Sequence, residues 1–218
     1  MSRLRLDQLL VEAGHAPTRA KAQALVMAGH VFTGERRLDK PGLLVPRDTP
    51  LAVRGGQDWV SRGATKLIAG LDAFAIDPSG AVALDVGAST GGFTQVLLAR
   101  GARRVYALDV GRGQLAWPLR TDPRVVVLEG INARHLDREQ VPETLDLVVC
   151  DASFISLTLV LPPALELTGP EAALVALIKP QFEAGRAAVG KGGVVRDPAV
   201  HEAVCARIGA WLAARPGW

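Results

Sequence analysis

A loop of glycines and small hydroxyl residues, VGASTGGFT at 86–94, follows an apolar run that ends Leu84-Asp85, and a second apolar run closes in Asp109. Loops of this kind hold phosphates or nucleosides, and the spacing decides which. A Walker loop needs GxxxxGK followed by Ser or Thr, so that the lysine reaches the terminal phosphates. This stretch has no lysine. The dinucleotide fingerprint is GxGxxG, whose amides meet a pyrophosphate. Here Gly87, Gly91 and Gly92 give GxxxGG, and Asp85 stands two residues before the first glycine. A carboxylate there repels a pyrophosphate and suits an ammonium group such as the methionine part of S-adenosylmethionine. Asp109, at a strand end, can accept hydrogen bonds from both ribose hydroxyls. Asp85, Gly87, Ser89, Thr90, Gly91, Gly92, Phe93 and Asp109 therefore predict an S-adenosylmethionine site rather than an NAD site.

Asp151 and Lys179 each close a hydrophobic run, where neither charge can be fully buried without a partner. Simple mutual pairing is one reading. The other joins them to Lys66 around an acceptor hydroxyl. A ribose hydroxyl holds its proton far above neutral pH, so attack on a methyl group needs local positive charge to stabilise the developing alkoxide. Lys179 would activate the hydroxyl, Lys66 would orient it, and Asp151 would position Lys179. Lys66 alone is also compatible with an ordinary surface lysine. Amino methyltransferases place Asn or Asp, then Pro-Pro and an aromatic, after the fourth strand; this chain has DASF. Carbon methylation of pyrimidines uses a cysteine nucleophile, and strand alternation points Cys150 away from Asp151.

These residues need a scaffold that gathers strand ends. The runs VVVLEG (125–130), DLVVCDAS (146–153) and LVALIKPQ (174–181) are nearly continuous and apolar, as strands buried on both faces should be. With helical stretches between them they predict an α/β, Rossmann-like, doubly wound parallel sheet, whose ligands collect outside the carboxyl ends of the strands. Asn132 falls at such an end, as an adenine partner or as a loop-turn asparagine. An amphipathic helix carries Lys66 and runs through Leu67, Ile68, Leu71 and Phe74.

The front of the chain reads differently. Leu6, Leu9, Leu10 and Ala13 fall at helical spacing before Gly14, and a second helix follows Thr18 and stops at Gly29. Short extended runs follow, HVFT, GLLV and PLAVRG. Residues 1–66 hold 11 Lys and Arg against 6 Asp and Glu, and residues 67–218 hold 14 against 16. A basic front of this kind attracts phosphates, through Arg3, Arg5, Arg19, Lys21, Arg36 and Arg37. RLRLDQLLVEAG, TRAKAQALVMAGHVFTG and the strand near Leu51 to Val53 resemble the small RNA-binding domain named after ribosomal protein S-four, over roughly residues 3–55. We expect that domain at 1–55, a linker at 56–63 around Gly55 and Gly56, and a catalytic domain at 64–218.

Composition closes off other classes. The chain is 49% hydrophobic and 22% charged over 218 residues, and its longest apolar stretches fall short of the roughly 18 residues of a membrane span. With no leader pattern at MSRLRLDQLL, the cytoplasm is the expected address. Two cysteines and four scattered histidines show no metal-ligand spacing, so no metal is expected.

Taken together, the two-helix module, SRGATKL, LDVGASTGGFT, GINARHL, VVCDASFISL and ALIKPQFEAGR resemble the TlyA family over nearly the whole chain. That resemblance implies a ribosomal RNA cytidine 2′-O-methyltransferase with an FtsJ-like catalytic domain and ribosomal RNA or ribosomal subunits as partners. DNA is not expected as a partner, and without a long apolar segment or a strongly basic amphipathic helix neither is a membrane. It implies that Lys66, Asp151 and Lys179 match three members of a Lys-Asp-Lys-Glu tetrad. The glutamate follows a later strand in the family; Glu183 and Glu202 fall too early to match it, and the expectation is a sheet incomplete at its C-terminal side. Rivals are a non-catalytic RNA-binding protein, a haemolysin-like protein, and a pseudouridine synthase suggested by Arg5-Leu6-Asp7.

Overall fold

The computed structural model describes residues 3–53 and 59–218 and divides the chain into two compact units, 1–58 and 59–218. The expected boundary at Gly55 and Gly56 lies outside the described residues.

In the first unit, β1 (Arg3–Arg5) leads into α1 (Leu6–Glu12), followed by α2 (Arg19–Met27), β2 (Val31–Thr33), β3 (Arg36–Arg37), β4 (Leu44–Pro46) and β5 (Ala52–Val53). Gly14, in the left-handed region at φ +74°, ends α1, and the His15 amide reaches back to the Leu10 carbonyl at 2.9 Å, closing orphan carbonyls of the last turn. Thr18 caps α2 by accepting from the Lys21 amide at 3.3 Å. Leu6, Leu9, Leu10, Ala22, Val26, Val31, Leu38 and Val45 bury one apolar cluster against the strands. β1 pairs with β4, and β2 lies between β3 and β5, all antiparallel.

The second unit contains α3 (Gly63–Ala73), β6 (Val82–Val86), α4 (Gly92–Ala99), β7 (Arg104–Asp109), α5 (Trp117–Arg120), β8 (Val125–Glu129), β9 (Leu145–Cys150), α6 (Leu157–Val160), α7 (Pro162–Leu165), β10 (Thr168–Ala176), α8 (Pro180–Glu183) and α9 (Pro198–Ala213). Its sheet is parallel, in the order β10-β9-β6-β7-β8. The fold is therefore the expected α/β Rossmann-like one. Alternation sorts the strands: Val82, Leu84, Tyr106, Leu108, Val148 and Cys150 join one apolar layer with α6, α7 and α9, while Ala83, Val105, Ala107, Leu147 and Val149 join the other with α3 and α4. Each buried Leu or Val contributes about 1.5–3 kcal/mol relative to exposure.

The chain leaves β6 for β7 on one side and reaches β9 on the other, so the order reverses between β6 and β9. A crevice opens there at the carboxyl ends. The structure differs from the sequence reading in two places. β10 starts earlier and stops at Ala176, with a register shift against β9 between Thr168 and Ala173; Pro180 opens α8 instead, because proline has no amide to continue a ladder. Phe74 is 71% exposed, since α3 ends at Ala73 and Ala75 turns the chain at φ +52°. Among the described residues no helix is long and apolar enough to cross a membrane.

Candidate active site

The loop after β6 is shaped by close approach. At Gly87, φ is +85° and a Cβ would stand 3.0 Å from Ala152 Cα, so only glycine lets this strand end cross the segment after β9. Ser89 also takes a left-handed conformation, at φ +50°, and its amide donates to Asp109 Oδ2 at 2.8 Å. Such a conformation in a non-glycine residue is uncommon outside turns and functional sites. The Gly111 amide takes the other oxygen of Asp109 at 2.7 Å, so the carboxylate is fixed with lone pairs remaining for a hydroxyl.

Asp85 is fully buried. Its Oδ2 accepts from the Thr94 amide at 2.8 Å and from Thr94 Oγ1 at 2.7 Å, tying the strand end to the first turn of α4. Its Oδ1 has no hydrogen-bond partner among the described residues. Burial pushes this carboxyl up to about 7 against the opposing Thr94 hydrogen bonds, and the Asp151 and Asp109 charges add to the rise. An orphaned carboxylate oxygen beneath the loop fits a cationic ligand above it.

Two adjoining cavities share Gly87, Ser89, Asp151 and Ser153. The first, about 490 Å³, is lined by Gly87, Ser89, Asp109, Asn132, Gln114 and Phe154 among others. It is large enough for a nucleoside-sized ligand. The second, about 700 Å³, is lined by Lys66, Thr90, Gly92, Phe93, Asp151 and Lys179 among others. The predicted cofactor set thus divides. Thr90, Gly92 and Phe93 face the second cavity, while Asp85 and Gly91 line neither. Gly91 is instead packed where a Cβ would stand 2.3 Å from Leu119 Cδ1. Asn132 lines the first cavity and accepts from the Arg134 amide at 3.1 Å, so the turn role is present alongside a place on the cavity wall.

The three charged residues converge. Lys179 Nζ donates to the Asp151 carbonyl at 2.9 Å and to Ser153 Oγ at 2.8 Å, and it stands 2.7 Å from Asp151 Oδ1 in a contact of charge rather than an aligned hydrogen bond. Lys66 Nζ lies 3.4 Å from Asp151 Oδ2. Asp151 therefore stands between two ammonium groups, with Lys66 half exposed and Lys179 largely covered. Their wall is the one that adjoins the first cavity. Cys150 lies inside the core, its thiol pushed by burial up to about 12, as expected for a group pointing away. Glu183 is buried against α6, accepting from Ser156 Oγ and the Leu157 amide, each at 2.7 Å. It serves as a helix cap, outside the lysine pair.

Sequence reasoning missed Ser153, Gln114 and Phe154. Ser153 stood in the DASF stretch but carried no spacing signal. Phe154 is 89% exposed at φ +65°, its ring 5.0 Å from that of Phe182.

In the first unit, Arg3, Arg36 and Arg37 are exposed, while Arg5 and Arg19 turn to Asp7. Arg5 and Arg19 reach Asp7 at 2.9 and 3.0 Å, joined by Gln23 Nε2 at 2.8 Å. Arg5, ahead of Gln23 and Arg19, holds the Asp7 carboxyl far below the usual carboxylate range. Asp7 has no exposed surface, which removes it as a nucleophile of the pseudouridine synthase kind. The Lys21 amide donates to the capping Thr18 side chain.

Comparison with known proteins assigns both units to families. Residues 59–215 match the family described as FtsJ-like methyltransferase, and residues 4–49 match the S4 domain. The chain is 52% identical to the 16S/23S rRNA (cytidine-2′-O)-methyltransferase TlyA of Mycobacterium tuberculosis over 198 residues, 90% of this chain and 74% of that one. It is 39% identical to Hemolysin A of Brachyspira hyodysenteriae, covering 92% of this chain and 84% of the relative. A solved structure of a hemolysin-named protein from Streptococcus thermophilus superposes at a TM-score of 0.69 with 40% identity, covering 97% of this chain and 78% of that one. With an S4 domain ahead of a glycine-loop Rossmann unit, and Asp151 held between Lys66 and Lys179, the chain belongs to the TlyA group of the FtsJ-like methyltransferases.

Proposed function

We propose that this protein methylates the 2′-hydroxyl of a cytidine in ribosomal RNA, with S-adenosylmethionine as donor. The observation that carries the reading is the meeting of Lys66, Asp151 and Lys179 on a cleft that adjoins the nucleoside-sized cavity. The cofactor supplies an electrophilic methyl group on a sulfonium. Asp109 accepts from its ribose, Gly87 and Ser89 leave backbone room beside it, and Asp85 favours its ammonium group from beneath the loop. Asn132 faces the adenine side.

Lys179, as the free amine, would take the proton of the acceptor hydroxyl as that oxygen bonds the methyl carbon and the carbon–sulfur bond breaks. The Asp151 carbonyl and Ser153 hold the amine in place. Lys66 orients that hydroxyl and offsets charge on the oxygen as its proton leaves. Asp151 keeps the Lys66 and Lys179 nitrogens together and at the cleft. Phe154 offers an exposed ring at the rim, where an unstacked base can lie. RNA docking falls to the first unit, through Arg3, Arg5, Arg19, Lys21, Arg36 and Arg37, with Asp7 fixing the directions of Arg5 and Arg19. A ribosomal substrate places this work in the cytoplasm.

The test is transfer of an isotopically labelled methyl group to ribosomal subunits and to free ribosomal RNA, followed by mass spectrometry of the nucleosides. The expected product is 2′-O-methylcytidine. Label on a base, or on protein alone, would contradict the assignment.

A further inference from the structure

β8 ends in Glu129, a residue that lines neither cavity, yet its carboxylate gathers four donors. Oε2 accepts from the Gly113 amide at 2.8 Å; Oε1 accepts from the Gln114 amide at 3.1 Å, the Leu115 amide at 3.2 Å and Arg120 Nη2 at 2.7 Å. Three consecutive amides on one carboxylate leave little freedom to the chain between β7 and α5. The other end of that segment is tied by Asp109 to Gly111, and the Gly130 amide donates to the Gly111 carbonyl at 2.9 Å. Arg120, ahead of the Gly113 amide, holds the Glu129 carboxyl down at about 2, so it stays charged through the ordinary pH range.

The segment so fixed carries Gln114 to the wall of the first cavity, beside Asp109 and Ser89. Its Oε1 accepts from Ser89 Oγ at 3.3 Å, linking the two loops, and its Nε2 lies where a Cβ on Gly111 would stand, 2.1 Å from that position. Gly111 thus leaves the space that the glutamine amide occupies.

We propose that Gln114 is a further cofactor-binding residue, contacting the nucleoside half of the donor through its side-chain amide, and that Glu129 is the positioning residue that holds it there. This rests on the cofactor reading above. Gln114 adds a donor and an acceptor next to the carboxylate that takes the ribose, and Glu129 acts only through the loop.

Calorimetric titration with S-adenosylhomocysteine tests it directly. Gln114→Ala should bind roughly tenfold more weakly, as for one lost hydrogen bond in a covered site. Glu129→Gln keeps the shape and removes the charge, and should also bind roughly tenfold more weakly. In methyl transfer it should raise KM for the donor while kcat at saturating donor stays within about twofold. The double variant should bind about as weakly as Glu129→Gln alone, because one residue acts through the other. Full affinity in Gln114→Ala overturns the proposal even if Glu129→Gln does not fold; so does a Glu129→Gln variant that loses kcat and melting temperature with its KM unchanged. Failure of the wild-type protein to bind S-adenosylhomocysteine would instead remove the cofactor reading itself.

Discussion

Asp85 combines a structural and a binding task whose demands conflict. It anchors the first turn of α4 through Thr94, yet keeps one buried oxygen unpaired and sits near two other carboxylates, Asp151 and Asp109. A carboxyl whose folded value is raised to about 7 favours the fold below its unfolded value, and that contribution is lost as pH rises through about 7. In the absence of cofactor, wild-type stability in urea should therefore fall between about pH 4 and pH 7 relative to Asp85→Asn. The variant should gain at the upper end while binding S-adenosylhomocysteine more weakly, a trade expected where strain serves a ligand. Parallel pH curves for the two proteins would exclude Asp85 as the source. The charges at Asp85, Asp109, Asp151 and Lys179 were legible in sequence because each ends an apolar run. The contact of Asp85 with Thr94, the grip of Asp7 on Arg5 and Arg19, and the arrival of Gln114 were not, since they depend on side-chain directions that residue type and spacing do not carry.

At the scale of elements, the site is a set of strand ends kept close by glycines of unlike kinds. Gly87 combines positive φ with a backbone neighbour that cannot yield, whereas Gly209 sits in an exposed stretch of α9 with nothing within 4 Å of its missing Cβ. Gly87→Ala should cost more than about 1 kcal/mol in urea unfolding and weaken cofactor binding. Gly209→Ala should instead stabilise by up to about 1 kcal/mol, the ordinary helix gain over glycine. Equal effects of the two substitutions would show that loop geometry does not govern the site. Apolar strands β6, β7 and β9 could be read from their composition, since burial on both faces demands it. The polar start of β10, Thr-Gly-Pro-Glu, and the charged β1, Arg-Leu-Arg, gave no such signal, being set by pairing with β9 and β4.

Over the whole molecule, charge and chemistry are assigned to different units. The surplus of basic residues lies in the front of the chain, and the lysine pair and glycine loop lie behind it. Affinity for structured RNA should fall steeply as salt rises, because contacts with phosphates release condensed counterions. Duplex DNA of equal length should bind less well, lacking the 2′-hydroxyl and the A-form groove. Filter binding across a salt series would check both, and equal affinity for the two nucleic acids would count against RNA docking by the first unit.

The central claim is that Lys66, Asp151 and Lys179 carry methyl transfer to a ribose hydroxyl, and single-turnover transfer to ribosomal RNA by Lys179→Ala tests it most directly. The account predicts a rate at least roughly 100-fold below wild type, the scale of losing a positioned acid-base or charge-stabilising group, with S-adenosylhomocysteine affinity retained. A Lys179→Ala protein that methylates at the wild-type rate would contradict it.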